Sequence, residues 1–282
     1  MKKILVLGSA GMLGHIVFAY FNKLNKYEVI DASFPIKIRP KSLLLDVTNK
    51  AQVEEIIDKI QPDIIINCIG ILINGSQEDP SNAIYLNSFL PHQLSKLQRK
   101  HKGKLIHIST DCVFTGKKGS YSETDFKDAR DTYGLSKALG EIDNNSDITI
   151  RTSIVGPELK EHGEGLFHWF MSQKGIINGY SNAYWTGVTT LELAKCLHKA
   201  IELDFTGLYN LAPHEKISKY DLLNLIKKVW KRDDIIINKQ ENMIIDKSLI
   251  DNRNLITVNN YETMFNELFE WMKNNKLYCN YK

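Results

Sequence analysis

The amino-acid sequence predicts an α/β fold in which a doubly wound parallel sheet is followed by a smaller mixed α/β lobe. Two observations support it. Short apolar runs alternate with helical patterns through the first half of the 282 residues, and these runs are continuous rather than alternating. Strands covered by helices on both faces produce continuous runs, and the alternation of strand and helix implies right-handed βαβ units. The length fits one large lobe and one small lobe.

The predicted strands of the large lobe are rich in Ile, Val and Leu, and helical patterns separate them. The strands are Ile4–Leu7, Glu28–Ser33, Leu43–Leu45, Asp63–Ile69, Lys104–Ser109 and Ile148–Val155. The helices between them are Met12–Leu24, Lys50–Ile60, Pro80–His101 and Thr132–Ile142. We expect these elements to form one lobe over residues 1–155.

The rhythm changes after residue 155, where helical patterns outnumber short strands. The helices are Leu166–Gln173, Thr190–Glu202, Ser218–Lys231 and Glu262–Asn274, and the strands are Gly175–Ile177, Gly207–Leu211 and Ile235–Ile237. We interpret residues 156–282 as a smaller lobe that closes over the carboxyl ends of the strands and binds substrate. No linker rich in Pro, Gly and Ser divides the chain, so the lobes should pack closely and the chain can cross between them.

Composition argues against several classes of protein. The net charge of +3 is small and the basic residues are scattered, so no basic stripe points to nucleic acid. The four cysteines, which are Cys68, Cys112, Cys196 and Cys279, lie far apart and fit reduced thiols in a cytoplasm better than disulfides or a zinc site. No apolar run reaches the ~18 residues of a membrane span. The histidines show no metal-binding spacing, so we expect no metal.

A glycine-rich loop follows the first strand. Its sequence is Gly8-Ser9-Ala10-Gly11-Met12-Leu13-Gly14, and a helix begins directly after it. Glycines let the backbone turn tightly and approach a pyrophosphate, and the N-terminus of the helix offers N–H groups to phosphate. This position, between the first strand and helix of a βαβ series, predicts a Rossmann-type site for NAD or NADP.

Charged residues near the end of the second strand leave the choice of cofactor open. Asp31 is placed to hold the adenosine ribose hydroxyls, which favours NAD. Lys37 and Arg39 could instead bind the 2′-phosphate of NADP, and all three could be loop charges. Two further segments, Asp46-Val47 and Cys68-Ile69-Gly70, end the third and fourth strands at the edge where ligands bind in such sheets. We interpret Cys68 as a packing residue.

The segment Tyr133-Gly134-Leu135-Ser136-Lys137 predicts the catalytic acid of a hydride-transfer enzyme. Residues four apart share a helix face, so we expect the Lys137 ammonium to lower the pKa of Tyr133 from ~10. A second copy of this spacing, Tyr278 to Lys282, has no catalytic context. Thr110, at the end of the fifth strand, is our choice as second donor to a reacting carbonyl, although a capping role is equally compatible.

The segments around these residues resemble the dTDP-4-dehydrorhamnose reductases, a family of extended short-chain dehydrogenases/reductases. The matching segments are 109–116 (STDCVFTG), 121–125 (YSETD), 133–141 (YGLSKALGE), 151–153 (RTS) and 207–211 (GLYNL), together with the GxxGxxG spacing of the glycines. The resemblance implies that Thr110, Tyr133 and Lys137 are catalytic together with Asn87, for which a purely structural role stays open. It also places Asp46-Val47 beside adenine and Cys68–Gly70 beside the nicotinamide.

The implied reaction is NAD(P)H-dependent reduction of the C4 keto group of a 6-deoxy-4-keto nucleotide sugar, for polysaccharide precursor synthesis. Asp111 and Val113 are the implied substrate contacts. Cys112 and Ile154 stand where many members of the family carry tyrosine and tryptophan. The chain is therefore also similar to reductases of UDP-linked 2-acetamido-2,6-dideoxy-4-keto sugars.

Two further residues complete the predicted substrate site. Trp185 could stack on the sugar or the base, although core packing is equally compatible. Lys247 could clamp the nucleotide diphosphate, although a solvated charge is the simpler interpretation. The alternative functions are a nucleotide-sugar epimerase or dehydratase of the same fold and a non-enzymatic NAD(P)-binding sensor. Homodimer formation stays open.

Overall fold

The computed structural model describes residues 1–281, apart from the side chain of Asn280. Its strands are β1 (Lys2–Leu7), β2 (Tyr27–Ser33), β3 (Leu43–Leu44), β4 (Ile64–Asn67), β5 (Lys104–Thr110), β6 (Ile148–Thr152), β7 (Ile154–Val155), β8 (Gly175–Tyr180), β9 (Ala183–Trp185), β10 (Val188–Thr189), β11 (Gly207–Asn210), β12 (Ile217–Ser218), β13 (Ile235–Gln240) and β14 (Ile245–Asp246).

The helices lie between these strands. They are α1 (Gly14–Lys23), α2 (Lys50–Ile60), α3 (Ile73–Glu78), α4 (Pro80–Ile84), α5 (Leu90–Lys100), α6 (Thr132–Gly140), α7 (Leu166–Ser172), α8 (Thr190–Leu203), α9 (Lys219–Trp230) and α10 (Tyr261–Lys273). A π-helical turn spans Tyr85–Phe89, and 3₁₀ turns span Asp111–Val113 and Lys276–Tyr281. No helix in the part of the chain that the structure describes is long and apolar enough to cross a bilayer.

A seven-stranded parallel sheet forms the large lobe and confirms the predicted fold class. The strand order is β11-β6-β5-β4-β1-β2-β3, and every neighbouring pair is parallel. The order reverses at β1, which pairs with both β2 and β4. A ligand cleft is expected at such a switch point, beyond the carboxyl ends of the strands.

The alternation of side chains along β1 shows why its sequence is continuously apolar. Ile4 and Val6 belong to the core cluster on one face of the sheet, and Leu5 and Leu7 belong to the cluster on the other face. All four side chains are fully buried. Successive side chains of a strand point to opposite faces, so a strand with helices on both sides needs apolar residues throughout.

The chain returns to the large lobe after first leaving it. β6 ends at Thr152, and the short strand β7 pairs with β10 outside the main sheet. β11 then joins the main sheet beside β6, and α8 packs against α1. The chain thus crosses back into the large lobe at α8 and β11, a crossing that the predicted division at residue 155 allowed, and apolar side chains of this later segment complete the core of that lobe.

The predicted helix Pro80–His101 is interrupted at its centre. The Leu90 N–H donates to the carbonyl of Tyr85, five residues earlier, so one turn is π-helical. Pro91 follows directly, and proline has no N–H to donate to the carbonyl of Asn87. This turn carries the buried Asn87 side chain towards the loop after β4. Such single π turns are frequent at functional sites.

Candidate active site

A cleft of about 500 Å³ lies at the carboxyl ends of the central strands. It brings together the predicted residues Ala10, Gly11, Met12, Leu13, Cys68, Ile69, Gly70, Thr110, Asp111, Tyr133 and Lys137. The loop Glu158–Lys160 and residues Glu164 and Gly165 of the small lobe close the other side of this cleft. Residues from at least five separate parts of the sequence thus face one volume, which is of the size typical of small-molecule sites.

The glycine loop has the tight geometry that its sequence predicts. Gly8 has φ of 79°, a conformation that favours glycine, and its carbonyl accepts from the Gly11 N–H at 3.0 Å. A Cβ on Gly14 would lie 2.2 Å from the Gly8 oxygen. Helix α1 begins without a capping side chain and without an acidic residue in its first turn. The N-terminus of this helix therefore fits an anionic group such as a phosphate.

Asp31 lies at the edge of this loop, but its two oxygens already have partners. Ser9 Oγ donates to Asp31 Oδ2 at 2.7 Å, and Arg39 forms an ion pair with Oδ1. The Arg39 guanidinium also lies over the ring of Phe18. Asp31 is only 4% exposed and does not line the cleft. Arg39 is thus paired with Asp31. From the sequence, these two residues are alternatives, Asp31 for the ribose hydroxyls of NAD and Arg39 for the 2′-phosphate of NADP.

The segment Asp46-Val47 is further from the cleft. Asp46 Oδ1 accepts hydrogen bonds from the N–H and hydroxyl of Thr48, at 3.0 and 2.7 Å. The Val47 side chain is buried with the core between the sheet and α2. Neither residue lines the cleft, so their expected place beside adenine stays a prediction.

Tyr133 and Thr110 meet at the cleft, and each polar atom has a defined environment. Thr110 Oγ1 donates to Asp111 Oδ1 at 3.1 Å and accepts from the Cys112 N–H at 3.1 Å, and the Thr110 side chain acts on the Tyr133 hydroxyl. Burial of the hydroxyl raises the pKa of Tyr133, and the charges of Cys112 and Asp111 add to the rise. The expected lowering of this pKa by Lys137 is therefore wrong for this structure.

Lys137 instead turns towards the sheet. Its Nζ donates to the carbonyl of Ile108 at 2.6 Å and lies 3.4 Å from His107 Nε2. The side chain is buried, and this burial lowers the pKa of Lys137 to about 8. Its Nζ is directed at β5, and the raised pKa of Tyr133 is set by burial and by the neighbouring Cys112 and Asp111.

Asn87 positions the cleft without reaching its reactive atoms. Its Oδ1 accepts from the Ile71 N–H at 2.9 Å, and its Nδ2 donates to the Ile71 carbonyl and to Ser136 Oγ, both at 3.1 Å. The amide thereby joins the loop after β4 to helix α6. Both polar atoms of the Asn87 side chain are thus engaged, which supports a positioning role, and the expected catalytic role of Asn87 stays a prediction.

Of the expected substrate contacts, Asp111 lies at the cleft, whereas Val113 and Trp185 do not line it. Asp111 is buried at the cleft, and desolvation raises the pKa of its carboxyl. Val113 is fully buried against Phe114 and does not face the cleft, which corrects its expected role. Trp185 is 3% exposed and its Nε1 donates to Ser153 Oγ at 2.7 Å, so it offers no open face for stacking.

Lys247 and a residue that the sequence did not reveal, Lys219, lie above Asp111 and Cys112. Lys247 lowers the pKa of the Cys112 thiol against the effect of burial, and Lys219 Nζ lies 5.0 Å from the centre of the Trp185 ring. Burial lowers the pKa of Lys219, the charge of Asp111 opposes this, and that of Lys247 adds to it. Within residues 1–281 neither lysine forms a salt bridge, so two cations share this corner with one buried carboxyl group.

Sequence reasoning also missed residues that carry no recognisable motif. Ser153 and the loop Glu158–Lys160 line the cleft although they lie between predicted elements. His107 is fully buried on β5, and its two ring partners could not be predicted from the sequence. In the described part of the chain no three His, Cys, Asp or Glu side chains cluster as metal ligands would.

Comparison with known families shows to which family the chain belongs. Residues 1–244 match the family described as the RmlD substrate binding domain. The chain belongs to the RmlD substrate-binding domain family. A dTDP-4-dehydrorhamnose reductase of Aggregatibacter actinomycetemcomitans is 34% identical over 143 residues, which cover 50% of this chain and 46% of that protein. The chain thus matches about half the length of that relative.

Other relatives of this RmlD-family chain carry a different name. The methionine adenosyltransferase 2 subunit beta of Xenopus laevis is 24% identical over 235 residues, which cover 78% of this chain and 70% of that protein. Among solved structures, dTDP-4-dehydrorhamnose reductase from Bacillus anthracis in complex with NADP has a TM-score of 0.82. It covers 96% of this chain and 100% of its own at 19% identity, which shows the shared fold.

Proposed function

We propose that this RmlD-family chain is an NAD(P)H-dependent reductase of the C4 keto group of a 6-deoxy-4-keto nucleotide sugar. The observation that carries the proposal is that Thr110, Tyr133 and Lys137 line the same cleft as the glycine loop. A proton donor and a dinucleotide site on one cleft are what carbonyl reduction requires. The named dTDP-4-dehydrorhamnose reductase among the relatives supports this substrate class.

The residues of the cleft fit a dinucleotide. The uncapped start of α1 and the Gly8–Gly14 loop would hold its pyrophosphate, and Cys68–Gly70 with Lys137 would lie along the nicotinamide ribose. Asp46 and Val47 are proposed for the adenine end. When bound, the reduced nicotinamide supplies the hydride that reduces the ketone carbon.

Tyr133 is proposed as the proton donor to the ketone oxygen. Its raised pKa keeps the hydroxyl protonated at neutral pH, which is the form that reduction needs. The developing alkoxide on the sugar is the base that takes this proton, and Tyr133 is left as the phenolate. Thr110 lies beside Tyr133 and is proposed as the second donor to the same oxygen.

The ion pair at the loop edge supports use of both NADPH and NADH. The Arg39 side chain is 32% exposed, so its guanidinium can reach a 2′-phosphate bound at the surface beside Asp31. When Arg39 moves aside, Asp31 Oδ1 is left to accept from a ribose hydroxyl. We expect Arg39→Ala to weaken NADPH binding by roughly tenfold, as for loss of a charged hydrogen bond, and to spare NADH.

Lys219 and Lys247 are proposed to bind the diphosphate of the nucleotide sugar. Two cations that repel each other beside a single buried carboxyl group gain free energy when a dianion neutralises them. Each of Lys219→Met and Lys247→Met should raise the KM for the nucleotide sugar by about 10–100-fold and change kcat less. Lys228→Met, which removes an exposed lysine paired with Glu262, is the matched control.

The deciding experiment follows NADPH and NADH oxidation with dTDP-4-keto-rhamnose and, separately, with the UDP-linked 2-acetamido-2,6-dideoxy-4-keto sugar. Stoichiometric oxidation with one of them establishes the reductase and its sugar. Tyr133→Phe should lower kcat by roughly 10²–10⁴ while cofactor affinity persists. Tyr180→Phe, at the end of β8, removes a hydroxyl outside the cleft and should be silent.

The same assay separates the alternatives. Conversion of the sugar without net NAD(P)H consumption would indicate an epimerase or dehydratase, because those enzymes return the hydride within one catalytic cycle. Binding of NADPH with no turnover of either sugar would favour a non-enzymatic sensor. Full activity in Tyr133→Phe would remove Tyr133 from the reaction.

A further inference from the structure

His107 lies behind the cleft, and the proposed reaction does not use it. It is fully buried on β5, between the side chains of Asn67 on β4 and Lys137 on α6. Its Nδ1 is 3.2 Å from Asn67 Nδ2, and its Nε2 is 3.4 Å from Lys137 Nζ. The imidazole therefore connects the sheet to the catalytic lysine.

The hydrogen bonds around Asn67 determine which ring nitrogen carries the proton. The Ile69 N–H donates to Asn67 Oδ1 at 3.1 Å, which orients the amide so that its NH₂ group faces His107. An NH₂ group can only donate, so Nδ1 must accept. Desolvation lowers the pKa of His107 well below its usual value, so the ring is neutral. Its one proton then lies on Nε2 and points at Lys137.

This proton matters for Lys137 because an ammonium has donors and no acceptor. A protonated Lys137 would oppose one of its N–H groups to the Nε2–H of His107. A neutral amine has a lone pair that accepts from Nε2–H, and it still donates to the Ile108 carbonyl at 2.6 Å. Every donor and acceptor between His107, Lys137 and the Ile108 carbonyl has a partner only when Lys137 is neutral. This preference agrees with the lowering of the Lys137 pKa to about 8.

Other titratable groups around the pair do not reverse this preference. Glu141, one turn further along α6, favours the ammonium form, but its carboxylate is bound by Arg151 at 2.7 and 2.8 Å. It also accepts from Ser109 and lies near Lys127. From α5, His92 lowers the pKa of His107 further. The charges of Asp111, Cys112 and Asp131 raise the pKa of Tyr133, whereas the pKa of Lys137 is set by its burial and by Glu141.

We propose that Asn67 and His107 destabilise the ammonium form of Lys137 in the free protein, and that binding of NAD(P)H removes this destabilisation, so that Lys137 takes up a proton in the alkaline range where the free amine is neutral. This inference rests on the proposed function for its second half. Ribose hydroxyl oxygens and the two phosphates would favour the ammonium and draw Nζ away from His107. His107 is thus a positioning residue that couples cofactor binding to the uptake of one proton.

The first experiment needs no cofactor. The ¹³Cε resonance of Lys137, assigned with a Lys137→Met sample, is titrated in the free protein together with the ¹⁵N resonances of His107. We expect Lys137 to titrate near pH 8 and His107 to carry its proton on Nε2. An ordinary lysine titration near pH 10.5, or a proton on Nδ1 of His107, overturns the inference whatever the protein's reaction.

Asn67→Asp reverses the direction of the hydrogen bonds from Asn67 through His107 to Lys137 and changes the shape of the side chain little. An aspartate still accepts from the Ile69 N–H, and its other oxygen accepts a hydrogen bond from Nδ1–H, so Nε2 becomes an acceptor for the Lys137 ammonium. We expect the Lys137 titration to move to higher pH, although burial still lowers its pKa. If Asn67→Asp does not fold, His107→Gln, whose carbonyl can turn towards Lys137, should move the titration in the same direction. If the Lys137 titration is unchanged in a folded variant, Asn67 and His107 do not control the protonation of Lys137 and the inference is wrong.

The second experiment measures protons taken up when NADPH binds, by calorimetry in Tris and in bicine at pH 8.5 and 6.5. With a free pKa of about 8 and a bound pKa above 10, we expect about 0.7 proton at pH 8.5 and almost none at pH 6.5. Binding without uptake at pH 8.5 overturns the coupling. Absence of NADPH binding refutes the proposed function, and the free-protein titration then decides the state of Lys137 separately.

Discussion

Lys137→Met should stabilise the free protein while it removes the proposed activity. Lys137 is 4% exposed, and its burial lowers its pKa from 10.5 to about 8. At about 1.4 kcal/mol per unit, this shift corresponds to about 3 kcal/mol of destabilisation when the lysine is protonated in the unfolded chain. Methionine avoids that cost but loses the hydrogen bond to Ile108, worth about 1 kcal/mol. The expected net gain at pH 6.5 is about 2 kcal/mol.

The sign of the pH dependence follows from the direction of the shift. Between about pH 8 and 10.5 the unfolded chain binds more protons at Lys137 than the folded one, so the wild-type protein gains stability as pH rises. Its disadvantage relative to Lys137→Met is therefore complete below pH 8. It falls by about 2 kcal/mol between pH 6.5 and 9.5, which leaves the two proteins of nearly equal stability.

Urea unfolding of both proteins at pH 6.5, 8 and 9.5 measures this difference. Lys96→Met, which changes an exposed lysine on α5, is the matched control and should stay within about 0.5 kcal/mol of wild type at every pH. A Lys137→Met protein that is no more stable than wild type at pH 6.5 would refute the reasoning. A stability difference that does not vary with pH would refute it equally.

Two further substitutions test the framework of the cleft. In Gly14→Ala the new Cβ lies 2.2 Å from the Gly8 oxygen, so we expect the free energy of unfolding to fall by about 1–3 kcal/mol and NADPH binding to weaken. Thermal shift with and without NADPH measures both effects. In Gly11→Ala the Cβ lies 3.3 Å from the same oxygen, and the loss should be smaller. Arg151→Met leaves the buried Glu141 carboxylate without its main partner and should cost about 3–5 kcal/mol in urea unfolding at pH 7. That loss should shrink on acidification, because Arg151 lowers the pKa of Glu141 and its contribution disappears as pH falls through the lowered value.

Most strands and helices of the fold could be predicted because each depends on local patterning. The apolar run of β1 reports burial on both faces, and α2 was predicted with the bounds Lys50–Ile60 that the structure shows. The break after Ile84 was missed, although Pro91 is a local signal for it, because an amphipathic pattern continues through a single π turn. The return of β11 to the main sheet was missed for another reason. A short strand carries no information about which sheet it joins.

Within the site, the prediction succeeded where one segment carries the requirement. The glycine loop needs positive φ at Gly8 and close approach at Gly14, and both are properties of a few consecutive residues. Tyr133 and Lys137 were expected to interact because they are four apart on a helix. The structure instead pairs Lys137 with Ile108 and His107, since burial drives an amine to the nearest available hydrogen-bond partners.

Local sequence therefore specified the backbone of the cleft and the identity of its titratable side chains, because steric limits and helix periodicity act over a few residues. Tertiary packing decided their chemical states. The pKa of Lys137 depends on its burial against β5, whose Ile108 lies 29 residues earlier in the chain, and the pKa of Asp111 depends on its own burial and on the charges of Lys247 and Lys219. Desolvation and charge act through space, over contacts that exist only after distant segments have packed together.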